Sequence, residues 1–174
     1  MRRSIAALGS VAFFVVAPGT VVGLIPWLIT RWEFRQPLPY WVIAQAIGVL
    51  LICVGLVSVA SAFVEFVKAG GTPMPIAPTQ RLVVSGFNRY IRNPIYFGLV
   101  LAILGQALLF GSIGVLIYAA VARIVTAAFV RWHEEPTLTR QFGADYAAYR
   151  QAVPAWRPRL RPWIPNRHDA PKER

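Results

Sequence analysis

The sequence predicts an all-α, multi-pass integral membrane protein with about four transmembrane helices. Three observations carry that prediction. Only 14% of the 174 residues are charged, and 56% are hydrophobic, with a mean hydropathy of +0.52. A soluble domain carries about 25% charge, so this inventory does not furnish a water-exposed surface. The apolar residues fall in long uncharged runs, and the basic residues gather between and after those runs.

The first run extends without a charge from Ser4 to Thr30. A spanning helix takes about 20 residues, with roughly 17–25 usual, so this run suffices. Its opening, "MRRSIAALGSVAFFVVAPG", has the form of a secretory leader with Arg2 and Arg3 in front. The apolar stretch continues through Pro18 and Gly19 to Ile29, well past the about 7–15 residues of a leader's apolar region. It therefore reads as an uncleaved, kinked anchor. Pro18 and Pro26 are tolerable there because neighbouring helices can satisfy the carbonyls that proline frees. The second run, Gln36 to Val64, also spans easily. Ile95–Phe110 and Ile113–Val130 are shorter and are joined by Gly111-Ser112, a tight apolar turn that suits a helical hairpin.

Charge orients these spans. Arg2 and Arg3 precede the first; Arg31 and Arg35 lie between the first and second; Lys68, Arg81, Arg89 and Arg92 follow the second; the turn between the third and fourth has none. After the fourth come Arg131, Arg140, Arg150, Arg157, Arg159, Arg161, Arg167, Lys172 and Arg174. Basic residues concentrate on the cytoplasmic side, which places both termini and the 65–94 segment there in the cell membrane. The net charge of +11 raises nucleic acid as a partner. No basic recognition helix or aromatic base-stacking sheet is legible, and anionic headgroups explain a basic juxtamembrane tail more simply. Membrane lipids are the expected partner, and nucleic acid is not.

Cys53 stands alone inside the second run, so no disulfide framework is expected, and a small apolar filler is its simplest reading. His133 and His168 are too few and too far apart for a zinc site, and no metal is expected. Neither a Walker loop nor a G-x-G-x-x-G is present.

Two polar clusters remain. "RLVVSGFNRYIRNPIYFG", residues 81–98, packs arginines, asparagines and tyrosines against the mouth of the third run. It follows "KAGGTPMPIAPTQ", whose glycines and prolines exclude helix and central strand. Irregular backbone near a membrane persists when buried in protein or lining a polar cavity. A solvated connector would account for the arginines but not for Asn93-Pro94-x-Tyr96 at the helix mouth. The second cluster, "RWHEEPTLTRQFGADYAAYRQAVPAW", carries Glu134 and Glu135, two of seven acidic residues. Paired carboxylates at a helix C-terminus oppose its dipole and call for compensation, by a ligand ammonium or by Arg92 and Arg131. Pro136 disfavours helix at Glu135 and predicts a kink. Phe142-Gly143 predicts a break, after which a short helix places Tyr146 and Tyr149 on one face. An amphipathic surface helix is the plainer reading of that stretch, and it leaves the glutamate pair unexplained.

"GGTPMPIAPTQRLVVSGFNRYIRNPIYFG", followed after a helical hairpin by "EEPTLTRQFGADYAAYRQAVP", resembles the isoprenylcysteine carboxyl methyltransferase and phospholipid methyltransferase superfamily. The resemblance covers about residues 70–158. It implies an S-adenosylmethionine-dependent membrane enzyme whose acceptor is a lipophilic small molecule. Carried over by position, it places cofactor contacts on Gln80, Arg81, Leu82, Val83, Asn88, Asn93, Pro94, Ile95, Tyr96 and Glu134, and Tyr90, Arg92 and Glu135 join them as cofactor-binding candidates by their chemistry. The chemistry suits these types: Arg92 for the cofactor carboxylate, Glu134 for the ammonium or a hydroxyl, an aromatic ring for the sulfonium. Methyl transfer to an anionic or free-amine acceptor depends mainly on alignment, so no catalytic residue is assigned.

Two positions depart from the family. Many relatives have histidine at Asn93 and tyrosine at Asn88; asparagine does not titrate, so Asn93 is given no proton chemistry. The prenylcysteine enzymes carry an arginine one turn before the glutamate, where this chain has Val130. Arg131 is the neighbouring substitute, and Arg131 and Trp132 are placed with Arg123 as substrate-binding candidates. At about 100° per residue Arg123 points within roughly 20° of Glu134 and lies about 16 Å deeper along the same helix stripe. An intramembrane arginine is a functional candidate by default, with snorkelling as the alternative. The implied organisation is an N-terminal helix pair (1–66), a methyltransferase core (67–158) and a basic tail (159–174). Two other readings stay open: a sterol-reductase-like, NADPH-binding membrane enzyme, and a non-catalytic membrane protein with a vestigial site. The acceptor is equally open among prenylcysteine, phospholipid amine, quinone-like phenol and isoprenoid carboxylate.

Overall fold

The computed structural model describes residues 16–68 and 82–164. Gln80, Arg81 and His168 lie outside the described residues, as does most of the Gly/Pro-rich loop. Among the described residues the regular structure is helical, with no strand. Helix α1 runs Val16–Thr30, α2 Trp41–Lys68, α3 Pro94–Phe110, α4 Ile113–Phe129 and α5 Glu135–Ala152. Two stretches, Trp41–Glu65 and Ile113–Ala152, are long and apolar enough to cross a membrane; α1 and α3 are shorter apolar helices.

The chain divides into two compact units, residues 1–59 with 95–126, and residues 60–94 with 127–174. In the first, α2 and α3 meet through glycines. A Cβ on Gly55 would lie 2.5 Å from the Gly98 carbonyl, and one on Gly105 would lie 2.5 Å from that of Gly48. Small residues permit such close backbone approach, which is how helices pack where lipid removes the hydrophobic drive between them. Ile103 and Ala107 of α3 and Val115 and Ala119 of α4 form the buried core, with Val21 and Val22 of α1 against it.

The Gly111-Ser112 turn forms the expected hairpin. Gly111 takes φ +59°, and the Ser112 hydroxyl accepts from the Val115 N–H as a helix cap (3.3 Å). Every one of the last four carbonyls of α3 finds a donor. Ala107 accepts from Ser112 N, Leu108 from the Trp41 indole, Leu109 from the Gln45 amide and Phe110 from Arg35 N. Such terminal carbonyls lack partners within their own helix, so the 35–45 segment completes α3.

Helix α1 contains a π-helical segment, Gly19–Leu24, directly before Pro26, with Ile25 N–H reaching back to Thr20. Proline lacks an N–H and its ring crowds the carbonyl four residues back. Those freed carbonyls are taken by side chains of other helices: Val22 O by Gln106 Nε2 (2.8 Å) and Val21 O by Tyr118 Oη (3.0 Å). The tolerance expected for Pro26 is thus provided by two polar groups placed for it.

The same device recurs in the second unit and corrects one expectation. A π segment, Val130–Glu134, precedes Pro136, and Glu135 N–H bonds to Val130 O. Glu135 keeps helical angles (φ −60°, ψ −44°), so the chain does not break at the residue before proline. The wider i→i+5 turn absorbs the missing donor. The glutamates therefore do not end a helix, and the dipole objection has no terminus to act on. The α-helical run carrying Arg123 ends at Phe129, so the even 100° spacing assumed between Arg123 and Glu134 does not hold. The break expected at Gly143 is present, with φ +51° and ψ −120° inside α5.

Candidate active site

The second unit is built around the Tyr146, Tyr149 and Val153 side chains, each buried, with Leu82, Val84, Leu138, Phe142 and Trp163 packed on them. Tyr146 and Tyr149 share a helix face, Val153 is the extended residue that ends α5 beside them, and together they give the loop at 82–93 something to fold against.

That loop is irregular, and partners for its backbone are found from Ser85 to Arg92. Ser85 opens a 3₁₀ turn, Gly86–Arg89, and Gly86 takes φ +54°. The Glu65 carboxylate of α2 accepts from the Ser85 hydroxyl and from Lys68 Nζ. A Cβ on Gly86 would come within 2.8 Å of Glu65 Cγ, so this close seat needs glycine. The Tyr149 hydroxyl donates to Asn88 O at 2.7 Å. Beyond α5 the chain runs back along the loop. Arg92 N donates to Pro154 O, Arg159 N to Tyr90 O and Trp163 N to Arg89 O, at 2.9–3.0 Å. The Arg89 Nε in turn donates to Trp163 O (2.8 Å). The backbone of the loop at Asn88–Arg92 is therefore tied down by protein partners.

The central feature is an ion pair linking the two polar clusters. Arg92 Nη1 lies 3.0 Å from Glu135 Oε1, with their side chains 10% and 12% exposed. The same Nη1 donates to Tyr146 Oη (3.1 Å), and Arg150 approaches the other Glu135 oxygen at 3.6 Å. Glu135 is thus compensated by Arg92 and Arg150, whereas Arg131, the other cation expected there, is exposed. Arg92 Nε is buried without a hydrogen-bond partner among the described residues. A buried donor in that state costs about 1–3 kcal/mol, which a bound acceptor would relieve. Burial raises the Tyr146 and Tyr149 hydroxyls above the usual tyrosine range, partly opposed by the nearby Arg92 charge.

Asn93 is buried, and its amide donates to Ala155 O (3.1 Å), so it ties the mouth of α3 to the returning chain. Asn88 is buried in the 3₁₀ turn, and Leu82, Val83 and Tyr90 are half-buried along the loop. Pro94 is buried at the first position of α3. Glu134 is half-buried on the π turn, while Arg131 and Trp132 of the same turn are exposed, Trp132 by 79%. Ile95, Tyr96 and Arg123, all half-buried, belong to the first unit. Residues 82–93 and 135–149 thus supply one cluster in which Arg92, Asn88, Glu135 and the α5 tyrosines meet. Sequence reasoning missed Arg150, Ala155 and Trp163. The signal available was the Tyr146-x-x-Tyr149 face with Arg150 next to it, for which the sequence names no partner. Among the described residues no group of three or more His, Cys, Asp or Glu side chains gathers as a metal site.

The sequence model of a family described as phospholipid methyltransferase matches residues 43–145, more than half of the chain. No curated protein and no solved structure matches it.

Proposed function

Because the chain belongs to the phospholipid methyltransferase family, we propose that it is an integral membrane methyltransferase that takes its methyl group from S-adenosylmethionine. The observation that carries this reading is the Arg92–Glu135 pair, since it joins the two motifs on which the cofactor contacts fall. When bound, the cofactor supplies an electrophilic methyl group on sulfur. Arg92, through the Nε that has no other partner, offers a donor to its carboxylate. Glu135 is already engaged by two arginines and acts by fixing Arg92. Glu134, on the wider turn beside it, is the carboxylate assigned to the cofactor's ammonium or a ribose hydroxyl. Leu82 and Val83 supply an apolar wall and backbone groups, with Gln80 and Arg81 leading into them. Asn88, Tyr90, Asn93, Pro94, Ile95 and Tyr96 complete the proposed contacts.

The acceptor is lipophilic and enters from the bilayer, with Arg123, Arg131 and Trp132 along its route. Four spans, both ends of this chain on the cytoplasmic face and a methyltransferase core at 67–158 complete the reading. Methyl transfer is then a matter of alignment and exclusion of water. A hydride-transfer enzyme would instead bind NADPH, and a vestigial site would bind neither nucleotide.

Calorimetric titration of the detergent-solubilised protein with S-adenosylhomocysteine, beside NADPH, separates these readings. The expected result is binding of S-adenosylhomocysteine alone, lost in Glu134→Ala. NADPH binding, or equal affinity in parent and variant, would contradict the proposal.

A further inference from the structure

The geometry points to the segment 157–164, "RPRLRPWI", as a two-sided strap that docks on an anionic lipid surface and thereby steadies the Arg89–Asn93 loop. One side faces protein. Arg159 donates from its backbone to Tyr90 O (2.9 Å) and from its guanidinium to Ala152 O (2.8 Å). Trp163 donates to Arg89 O and lays its ring 5.7 Å from that of Tyr149. Among the described residues the other side has no protein against it. Leu160 is 99% exposed, Ile164 is 68% exposed, and Arg157 and Arg161 are exposed beside them.

That outer composition fits one class of partner. Guanidinium groups pair with phosphate, while Leu and Ile enter the boundary between headgroups and acyl chains. A purely solvated tail has no use for an almost fully exposed leucine between two arginines. A nucleic acid would engage the arginines but leave Leu160 and Ile164 in water. The chain already carries two helices long and apolar enough to cross a membrane, so a lipid surface is at hand.

The consequence for the site follows from the inner side. Segment 153–164 supplies partners to Arg89, Tyr90, Arg92 and Asn93, through backbone atoms at Pro154, Ala155, Arg159 and Trp163. Docking that restrains the strap restrains those bonds, and the loop that carries Arg92 is held with it. This inference rests on the membrane reading, and its coupling to the loop is read out through the cofactor site proposed above.

The test places an environment-sensitive fluorophore on Leu160→Cys in a Cys53→Ser background, with the full chain in lipid nanodiscs. Two arginines near an anionic surface favour docking by roughly 30-fold. Probe emission is expected to shift to the blue, and to be quenched by spin-labelled lipid, in discs containing phosphatidylglycerol but not in phosphatidylcholine alone. Arg157→Gln with Arg161→Gln is expected to abolish that difference. In the same discs, S-adenosylhomocysteine is expected to bind several-fold more tightly with phosphatidylglycerol, and the double variant to lose only that gain. Emission indifferent to lipid charge, or changed by duplex DNA instead of lipid, would overturn the docking surface. Lipid-dependent emission with unchanged affinity would overturn the coupling. Absence of cofactor binding in every lipid, beside lipid-dependent emission, would sink the cofactor reading and leave the docking surface standing.

Discussion

Glu135 and Arg92 show what a single buried pair can and cannot explain. Removing one partner leaves the other charged and enclosed, so Glu135→Ala is expected to cost about 3–5 kcal/mol of stability. Replacing both with apolar residues of similar size, Glu135→Leu with Arg92→Met, is expected to restore most of the thermal stability, because two desolvation penalties vanish together. Cofactor affinity should stay lost in both variants. Thermal unfolding in detergent beside calorimetry checks both expectations. A double variant as unstable as Glu135→Ala would mean that the pair holds the fold rather than the site. Tyr149 gives a pH signature. Its hydroxyl is raised above the unfolded value near 10, so folded and unfolded chains bind the same proton at neutral pH and this group adds no slope there. Above about pH 10 the unfolded chain releases that proton first, and stability falls by up to about 1.4 kcal/mol per pH unit. Tyr149→Phe is expected to start less stable at pH 8, having lost the bond to Asn88 O, and to fall less steeply between pH 10 and 11. Parallel curves for parent and variant would contradict the assignment. The sequence made plain that paired glutamates need cations, and Arg92 was nameable. Which glutamate receives it was not, because that depends on the register of a π turn.

Two of the helices carry the same solution to proline, a π segment ending just before Pro26 and Pro136. The prolines were legible, but their consequence was not: a residue-by-residue preference says that helix stops, while a one-residue bulge lets it continue. In α1 the solution depends on Gln106, whose amide serves Val22 O. Gln106→Leu is expected to destabilise by about 1–2 kcal/mol, since interhelical bonds of this kind are worth about that much in a bilayer. A melting temperature equal to the parent's would mean that Val22 O finds another donor. The α2–α3 contact makes a harsher prediction. Gly98→Leu places a side chain where the Gly55 carbonyl already sits, and no folded protein is expected on size exclusion. The glycines stood in the sequence as two pairs, Gly48 with Gly55 and Gly98 with Gly105, each seven residues apart. Their pairing was illegible because interval alone does not reveal the partner helix.

For the molecule as a whole, the sequence disclosed a helical membrane protein through its charge-poor runs, and the family match agrees with that class. Orientation is the proposal that rests most heavily on arginine placement. It is checked by single cysteines in a Cys53→Ser background. Gln36→Cys is expected to react with an impermeant maleimide on intact cells, and Gln151→Cys only after the membrane is opened. Both side chains are exposed, so reactivity reports sidedness rather than burial. The reverse pattern would place the Arg92 cluster outside.

The central claim is that this chain moves a methyl group from S-adenosylmethionine to a lipophilic acceptor, with Arg92 and Glu134 at the cofactor. The most direct measurement is transfer of label from methyl-labelled S-adenosylmethionine into the organic phase of a total lipid extract by the reconstituted protein. Label is expected in the organic phase with the parent, and on the order of a hundredfold less with Glu134→Ala, as loss of a charge-assisted contact of about 3 kcal/mol gives. Label confined to the aqueous phase with the parent, at protein and lipid levels that bind S-adenosylhomocysteine, would contradict the account.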